Sequence, residues 1–467
     1  MEERVMRWLC VVVFGISVAF LFAEKLDKKE WGGLKRKMAR ALRAGDWEQV
    51  RDLAAKMGED DSARAVEYLL SVADKVQDEG TFTALAAVLG GMKSQEATEA
   101  LVTAALKGKE QQRRVLAIKA LEKRGDEKLI LRLVEILQRR KEDMFVVRTL
   151  IEALGNVGGL GCAEALINYI AKVEKERKGA LLIGTDWADA VKALKKISGG
   201  KEWYRAEAWR KWLNAMKETG KKVSSGGSMT AADLDLPKAP RFIGESKVIS
   251  RHIVFVLDTS GSMLEKEKLT GREADEFRRG AKAVVRKWRT EAAKDDDKEK
   301  PQVKQNPKPV GKTIIVTRLE RAKFHLTKMI LTMDKGCTFN IVAYDITVRS
   351  WKKKLVAATE GNKRAAVKWV KGLTAQGMTH TDEAMELAWT FVKQGCDTIY
   401  LISDGWPTHT GDPRKDGELL EEKILKFFRK VNFLKKVKVH TIGFKGAHKS
   451  FMRKLAKENG GKFTFVE

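Results

Sequence analysis

The chain has 467 residues, room for about three domains or fewer, with 43% hydrophobic and 33% charged side chains. Those proportions exclude a wholly disordered chain and a polytopic membrane protein. Ninety Lys and Arg against 63 Asp and Glu leave a net charge of +27, which favours anionic partners: acidic lipid, nucleic acid, an acidic polymer or an acidic protein. Four cysteines, Cys10, Cys162, Cys337 and Cys396, are too few for a disulfide scaffold.

Arg4 and Arg7 precede an uncharged run from Trp8 to Ala23, and charge resumes at Glu24. Sixteen residues fall short of the roughly 20 that span a bilayer, and the pattern suits the core of a secretory signal. Residues 1–23 are therefore expected to be a signal peptide, cut after Ala19 or Ala23, or an uncleaved membrane anchor. Export leaves Cys162, Cys337 and Cys396. Cys162 reads as a core residue of a helix. Cys337 and Cys396 each precede a predicted strand, and a further strand between those two is expected to hold the thiols beyond bonding reach.

Residues 24–217 contain no proline, and their apolar positions recur at helical spacing. Three similar segments begin at Ala84, Val115 and Val147, 31 and 32 residues apart. Each is followed by a turn and a second apolar helix, at Ala97 to Leu106, Lys128 to Leu137 and Ala163 to Ile170. A fourth unit starts at Ala190. One helix pair cannot bury its apolar stripe alone, so stacked pairs with an extended surface are expected. The segment from Val147 through Gly155-Asn-Val-Gly158 resembles HEAT repeats, which implies an all-α, armadillo-type domain. Trp203, Trp209 and Trp212 read as an aromatic cap on its end. Residues 218–246, with Ser224-Ser-Gly-Gly-Ser228, Pro237 and Pro240, read as a flexible linker.

Beyond the linker, Arg251 to Asp258 reads as a buried strand running into Asp258-Thr-Ser260-Gly-Ser262. Gly261 permits a sharp turn that aims one carboxylate and two hydroxyls at one point. A second strand, Asp397 to Ser403, ends at Asp404-Gly405, and between the two lies Gly377-Met-Thr379-His-Thr381-Asp382 at a helix start. Oxygen donors alone suit a hard divalent ion. Open α/β sheets gather such loops at the carboxyl ends of their strands, where neighbouring strands would start Asp258 and Asp404 about 5 Å apart.

The set Asp258-x-Ser260-x-Ser262, Thr379 and Asp404 resembles the metal-ion-dependent adhesion site (MIDAS) of von Willebrand factor type A domains. Thr338 to Asp345, Val439 to Phe444 and Leu455 to Gly461 are also similar to bacterial members. The resemblance covers residues 247–467 and implies a doubly wound, Rossmann-like α/β fold. It implies that Ser260 and Ser262 ligate Mg²⁺ directly, with Mn²⁺ or Ca²⁺ as alternatives. Thr379 would bind directly or through water, and Asp258 and Asp404 would hold bound waters. A partner's Asp or Glu carboxylate would complete the coordination. His380 is read as shaping its loop, His252 and His440 as strand residues, and Thr408 and His409 as rim residues.

One departure from the family stands out. The first helix should follow the Ser-x-Ser turn directly, but its counterpart, Leu319 to Met333, comes only after an insertion, 264–312. Arg272 to Lys294 is expected to be helical and Asp295 to Pro309 disordered. No nucleophile–base grouping has a catalytic context, so no enzyme activity is expected. The expectation is an exported, non-catalytic binding or adhesion protein of a bacterial envelope, with the helical repeats as scaffold. The alternative is a basic scaffold for nucleic acid or an acidic polymer, in which the metal is merely structural. Nucleic acid is the less expected partner, and membrane contact requires an uncleaved N-terminal segment.

Overall fold

The computed structural model describes residues 26–178, 180–201, 203–220, 248–286, 313–404 and 406–466. The expected signal segment, nearly all of the linker and the expected disordered stretch Asp295 to Pro309 lie outside the described residues. The chain divides into two compact units, Met1–Cys162 and Ala163–Glu467.

The first unit is helical: α1 (Lys28–Ala44), α2 (Trp47–Gly58), α3 (Ala63–Ala73), α4 (Glu79–Gly91), α5 (Gln95–Lys107), α6 (Gln111–Lys123), α7 (Glu127–Leu131), α8 (Glu135–Gln138) and α9 (Met144–Val157). Asp27, Asp46, Ser62, Asp78, Ser94, Asp126 and Asp143 cap helix starts by accepting from backbone N–H groups of the first turn. The three similar segments are α4, α6 and α9, and α6 packs against both of the others. Hydrogen bonds tie equivalent places of successive units. Asp61 accepts from the Ser94 backbone, Arg132 pairs with Glu99, and Gln111 donates to Asp143, steps of 33, 33 and 32 residues. The repeat is thus written in polar contacts as well as in the apolar stripe.

The single helix expected from Lys128 to Leu137 is instead α7 and α8, joined by i→i+3 bonds such as Leu133 N to Ile130 O and Val134 N to Leu131 O. Ile130, Leu133, Ile136 and Leu137 are all buried along this stretch.

The second unit opens with α10 (Leu160–Glu176), α11 (Thr185–Ile197) and α12 (Ala206–Thr219). Trp203, Trp209 and Trp212 stack edge to face, at 4.8 and 5.8 Å between centroids, and Trp209 Nε1 donates to the Trp203 carbonyl. The sheet is built from β1 (His252–Asp258), β4 (Thr338–Tyr344), β5 (Val348–Ser350), β6 (Val356–Ala357), β7 (Thr398–Ser403), β8 (Lys438–Gly443) and β9 (Phe463–Phe465). Its order is β5-β4-β1-β7-β8-β9, with β6 also on β4; β5 and β6 run antiparallel and the rest parallel. Ile253, Phe255 and Leu257 of β1 pack with Leu326, Met329 and Ile330 of α14 (Arg318–Thr332) and with Ala366 and Val370 of α15 (Glu360–Lys371). Val254 and Val256, pointing the other way, are equally buried. The near-continuous apolar strands follow from that two-sided burial. β1 lies between β4 and β7, so Cys337 and Cys396 are apart, and both are free and buried.

Residues 163–219 belong to the same compact unit as the sheet, although the linker composition lies further on. Leu182 enters the sheet's core, and its carbonyl accepts from Arg251 at 2.6 Å. Gly184 N donates to Ile249 O, and the Thr185 hydroxyl donates to Asp397 at the start of β7.

The insertion is partly structured. β2 (Lys266–Leu269) pairs antiparallel with β3 (Ile314–Thr317), and α13 (Gly271–Arg279) packs Ala274 and Phe277 on Leu269, Val316 and Ile314. The helix expected from Arg272 to Lys294 is broken at Gly280, whose φ of 77° no right-handed helix accommodates; a helical segment resumes at 281–286. The first helix after the insertion is α14, capped by Thr317 and Glu320 in a reciprocal pair.

Candidate metal centre

The site lies at the carboxyl ends of β1 and β7, neighbours in register from Ile253↔Thr398 to Leu257↔Ile402. That pairing carries Asp258 and Asp404, one position past β7, to the same edge. Past β1 the chain folds back so that Ser260 N donates to Asp258 Oδ1 at 2.8 Å, and Gly261–Leu264 forms a single 3₁₀ turn. The Ser260 and Ser262 hydroxyls lie 3.1 Å apart, and Ser262 Oγ donates to Asp404 Oδ1 at 2.7 Å.

A third loop is stitched to this turn through its backbone: Gly261 N to Gly377 O at 3.0 Å, and Gln376 N to Thr259 O at 2.8 Å. Gly377 has φ 70°, and a Cβ there would lie 2.9 Å from Ile346 Cγ2, so glycine is needed for the close approach. Two residues on, Thr379 exchanges backbone hydrogen bonds with Thr408 and is buried. Four of the five expected residues thus sit in one hydrogen-bonded cluster, and Thr379 is carried to it by its loop.

The donors fit a small hard cation. Adjacent oxygens around octahedral Mg²⁺ at 2.0–2.1 Å are about 2.9 Å apart. The separations here are 3.1 and 2.7 Å, without an imidazole or thiol in the set. Both oxygens of Asp258 are occupied, Oδ1 by Ser260 N and Oδ2 by the Ser403 hydroxyl at 2.6 Å, with the Tyr344 hydroxyl at 3.4 Å. Asp258 is thus held in place by donors of the chain itself. Burial, and then repulsion from Asp404, pushes the Asp258 carboxyl up to about 7. Burial raises Asp404 as well, against the opposing pull of Ser262 and Arg318. Two crowded, dehydrated carboxylates form a centre that gains from an added positive charge.

Arg318 already supplies part of that charge, and sequence reading passed over it. It is the first residue of α14, and its Nη1 donates to Asp404 Oδ2 at 2.6 Å. Its other nitrogens pair with Glu265 and Glu267 at the start of the insertion. Arg321 continues the chain of ion pairs between Glu267 and Glu273, and Lys328 binds Glu276 at 2.6 Å. The insertion is thus fastened to α14 by charges that end on a site carboxylate. Tyr344 and Ser403 were also missed, because each reads as an ordinary strand end. The motif spacing offers no signal for any of the three.

Residues 320–465 match the family model described as von Willebrand factor type A domain, a span that includes Thr379 and Asp404 and begins after the insertion. The human von Willebrand factor A domain-containing protein 3A is 29% identical over 150 residues, 31% of this chain. The matched part spans only 12% of that protein's length. Among solved structures, a von Willebrand factor type A protein from Catenulispora acidiphila shares 16% identity at a TM-score of 0.30, covering 47% of this chain and 40% of that one. A mutant of the PilB minor pilin from Streptococcus sanguinis shares 13% at a TM-score of 0.27, covering 46% and 56%. Residues 320–465 of the chain carry a von Willebrand factor type A domain, and a helical repeat region lies towards the amino end.

Proposed function

We propose that this chain is an exported, non-catalytic binding protein that captures a protein partner through a divalent ion held at Ser260, Ser262 and Thr379, with Asp258 and Asp404 behind it. The convergence of two hydroxyls and two crowded carboxylates at one sheet edge supports this reading. When bound, the ion supplies attraction for an external carboxylate. The chain's own residues orient that centre: Ser403 and Tyr344 fix Asp258, the 376–379 loop is pinned by its backbone to the Ser-x-Ser turn, and Arg318 steadies Asp404. Hydroxyl ligands donate little charge, so an ion held this way stays electron-poor and favours an Asp or Glu from outside. The helical repeats serve as scaffold.

The test is calorimetric titration of the full chain with Mg²⁺ beside Asp258→Ala, followed by retention on an array of acidic peptides with Mg²⁺ or with EDTA. Saturable uptake lost in the variant, with peptide retention lost in EDTA, is the expected result. Retention that ignores EDTA and collapses with rising salt would instead favour the polyanion reading drawn from the +27 charge.

A further inference from the structure

Beside the hard-metal loops, three side chains of another chemistry meet. His380, Glu383 and His409 place one ligand atom each within 4.8 Å of one another. His380 precedes α16 (Thr381–Thr390) and Glu383 lies one turn on, so the i, i+3 spacing puts both on one side of the helix start. His409 comes from the loop after β7. The Thr379–Thr408 backbone bridge joins these two stretches, and the imidazole rings lie 4.1 Å apart between centroids.

Each ring has a feature expected of a metal ligand. Nδ1 of His380 is shielded from solvent and has no hydrogen-bond partner, and it lies 3.6 Å from Glu383 Oε1. A buried imidazole nitrogen left without a partner is costly, and an ion shared with the nearby carboxylate would satisfy both. His409 is oriented from behind: Asp382, itself buried and held by Lys423 at 2.7 Å, lies 2.8 Å from His409 Nε2. A carboxylate there keeps the proton on Nε2 and leaves the Nδ1 lone pair free, the support that ligating histidines commonly have. Glu383 and His409 are partly exposed, which gives an ion a route in.

We propose that His380, Glu383 and His409 form a second metal site, selective for a divalent transition ion of the Zn²⁺ class. Two imidazoles and one carboxylate are borderline donors that favour Zn²⁺, Co²⁺ or Ni²⁺ over Mg²⁺, and three protein ligands leave one position open. Tetrahedral ligation at 2.0–2.1 Å requires the donors to close to about 3.3 Å and the two rings, now 30° apart in plane, to turn their nitrogens to one point, with the exposed Glu383 free to follow. An ion there would clamp the 379–383 stretch to the loop at 408–409, one residue from Thr379. The proposal does not depend on Mg²⁺ binding at Ser260 and Ser262.

The experiment uses the full chain without a histidine tag, in excess Mg²⁺, titrated with Co²⁺ and followed by the visible d–d absorption of the ion; Zn²⁺ then competes. One equivalent of Co²⁺, displaced by Zn²⁺ and retained in Asp258→Ala, is expected. His380→Gln and His409→Ala should each weaken it at least about 100-fold, and Asp382→Asn about tenfold. Thermal melts should show that the variants fold. Absence of saturable Co²⁺ binding in the native chain, or an unchanged affinity in folded His380→Gln and His409→Ala proteins, overturns the site.

Discussion

The two ends of the parallel sheet each bury aspartate, and the surroundings make the residues different objects. At the amino end, Asp397 accepts from the Thr185, Ser250 and Thr398 hydroxyls, three neutral donors around one charge. At the carboxyl end, Asp258 also has three donors, Ser260 N, the Ser403 hydroxyl and the more distant Tyr344 hydroxyl, but a second carboxylate, Asp404, raises its energy from close by. Hydrogen bonds from three places in the chain make Asp397 a structural knot, which ties the segment around Thr185 to the start of β7. Two carboxylates crowded together gain from a cation, and the one that Arg318 supplies is paired with Asp404.

Substitution can separate the two ends. The largest effect is expected from Asp258→Ala: Mg²⁺ affinity should fall about 100-fold by calorimetry, with a smaller change in the urea midpoint of the metal-free protein, because relief of the repulsion from Asp404 offsets the lost hydrogen bonds. Asp397→Ala should behave the opposite way. Three buried hydroxyls lose their acceptor, so stability should drop by about 3 kcal/mol in urea unfolding while Mg²⁺ affinity stays unchanged. If both variants lost stability equally and neither lost Mg²⁺ binding, the contrast between the ends would be wrong.

Arg318→Met sharpens the contrast further. A guanidinium beside the site repels an incoming divalent ion, so its removal should tighten Mg²⁺ binding about tenfold, read in the same titration. Weaker binding in a folded variant would mean that Arg318 chiefly orders the loop. The smallest expected effect lies in the helical unit. Burial works to raise the Glu142 carboxyl, but hydrogen bonds from Arg114, the Asp143 backbone and Arg139 prevail and hold it at about 2. A depressed carboxyl contributes stability that is present above its ordinary value near 4.5 and is lost as pH falls towards 2. Glu142→Gln should therefore flatten the acid limb of the stability curve between those values while lowering the neutral plateau.

Much of this molecule was legible from the chain. β1, β4, β7 and β8 announce themselves as short apolar runs because both of their faces are buried. The helical stripe at α14 was equally clear, since Leu319, Ala322, Leu326, Met329 and Ile330 repeat at helical spacing. The Asp258-x-Ser260-x-Ser262 turn was readable because its geometry is local: one carboxylate, one glycine and two serines within five residues. The break between α7 and α8 was not readable, because the spacing of Ile130, Leu133, Ile136 and Leu137 suits one continuous helix equally well.

Periodicity, turn residues and the order of the oxygen donors were determined by the sequence itself, because each depends on residues a few positions apart. Only the tertiary structure decided which charges meet. Arg318 reaches Asp404 across 86 residues, and Thr185 reaches Asp397 across 212. His409 comes to His380 only because β7 ends and α16 begins at the same edge. Such pairings leave no periodic trace in a single chain: the energy that selects them comes from burial and charge brought together by folding.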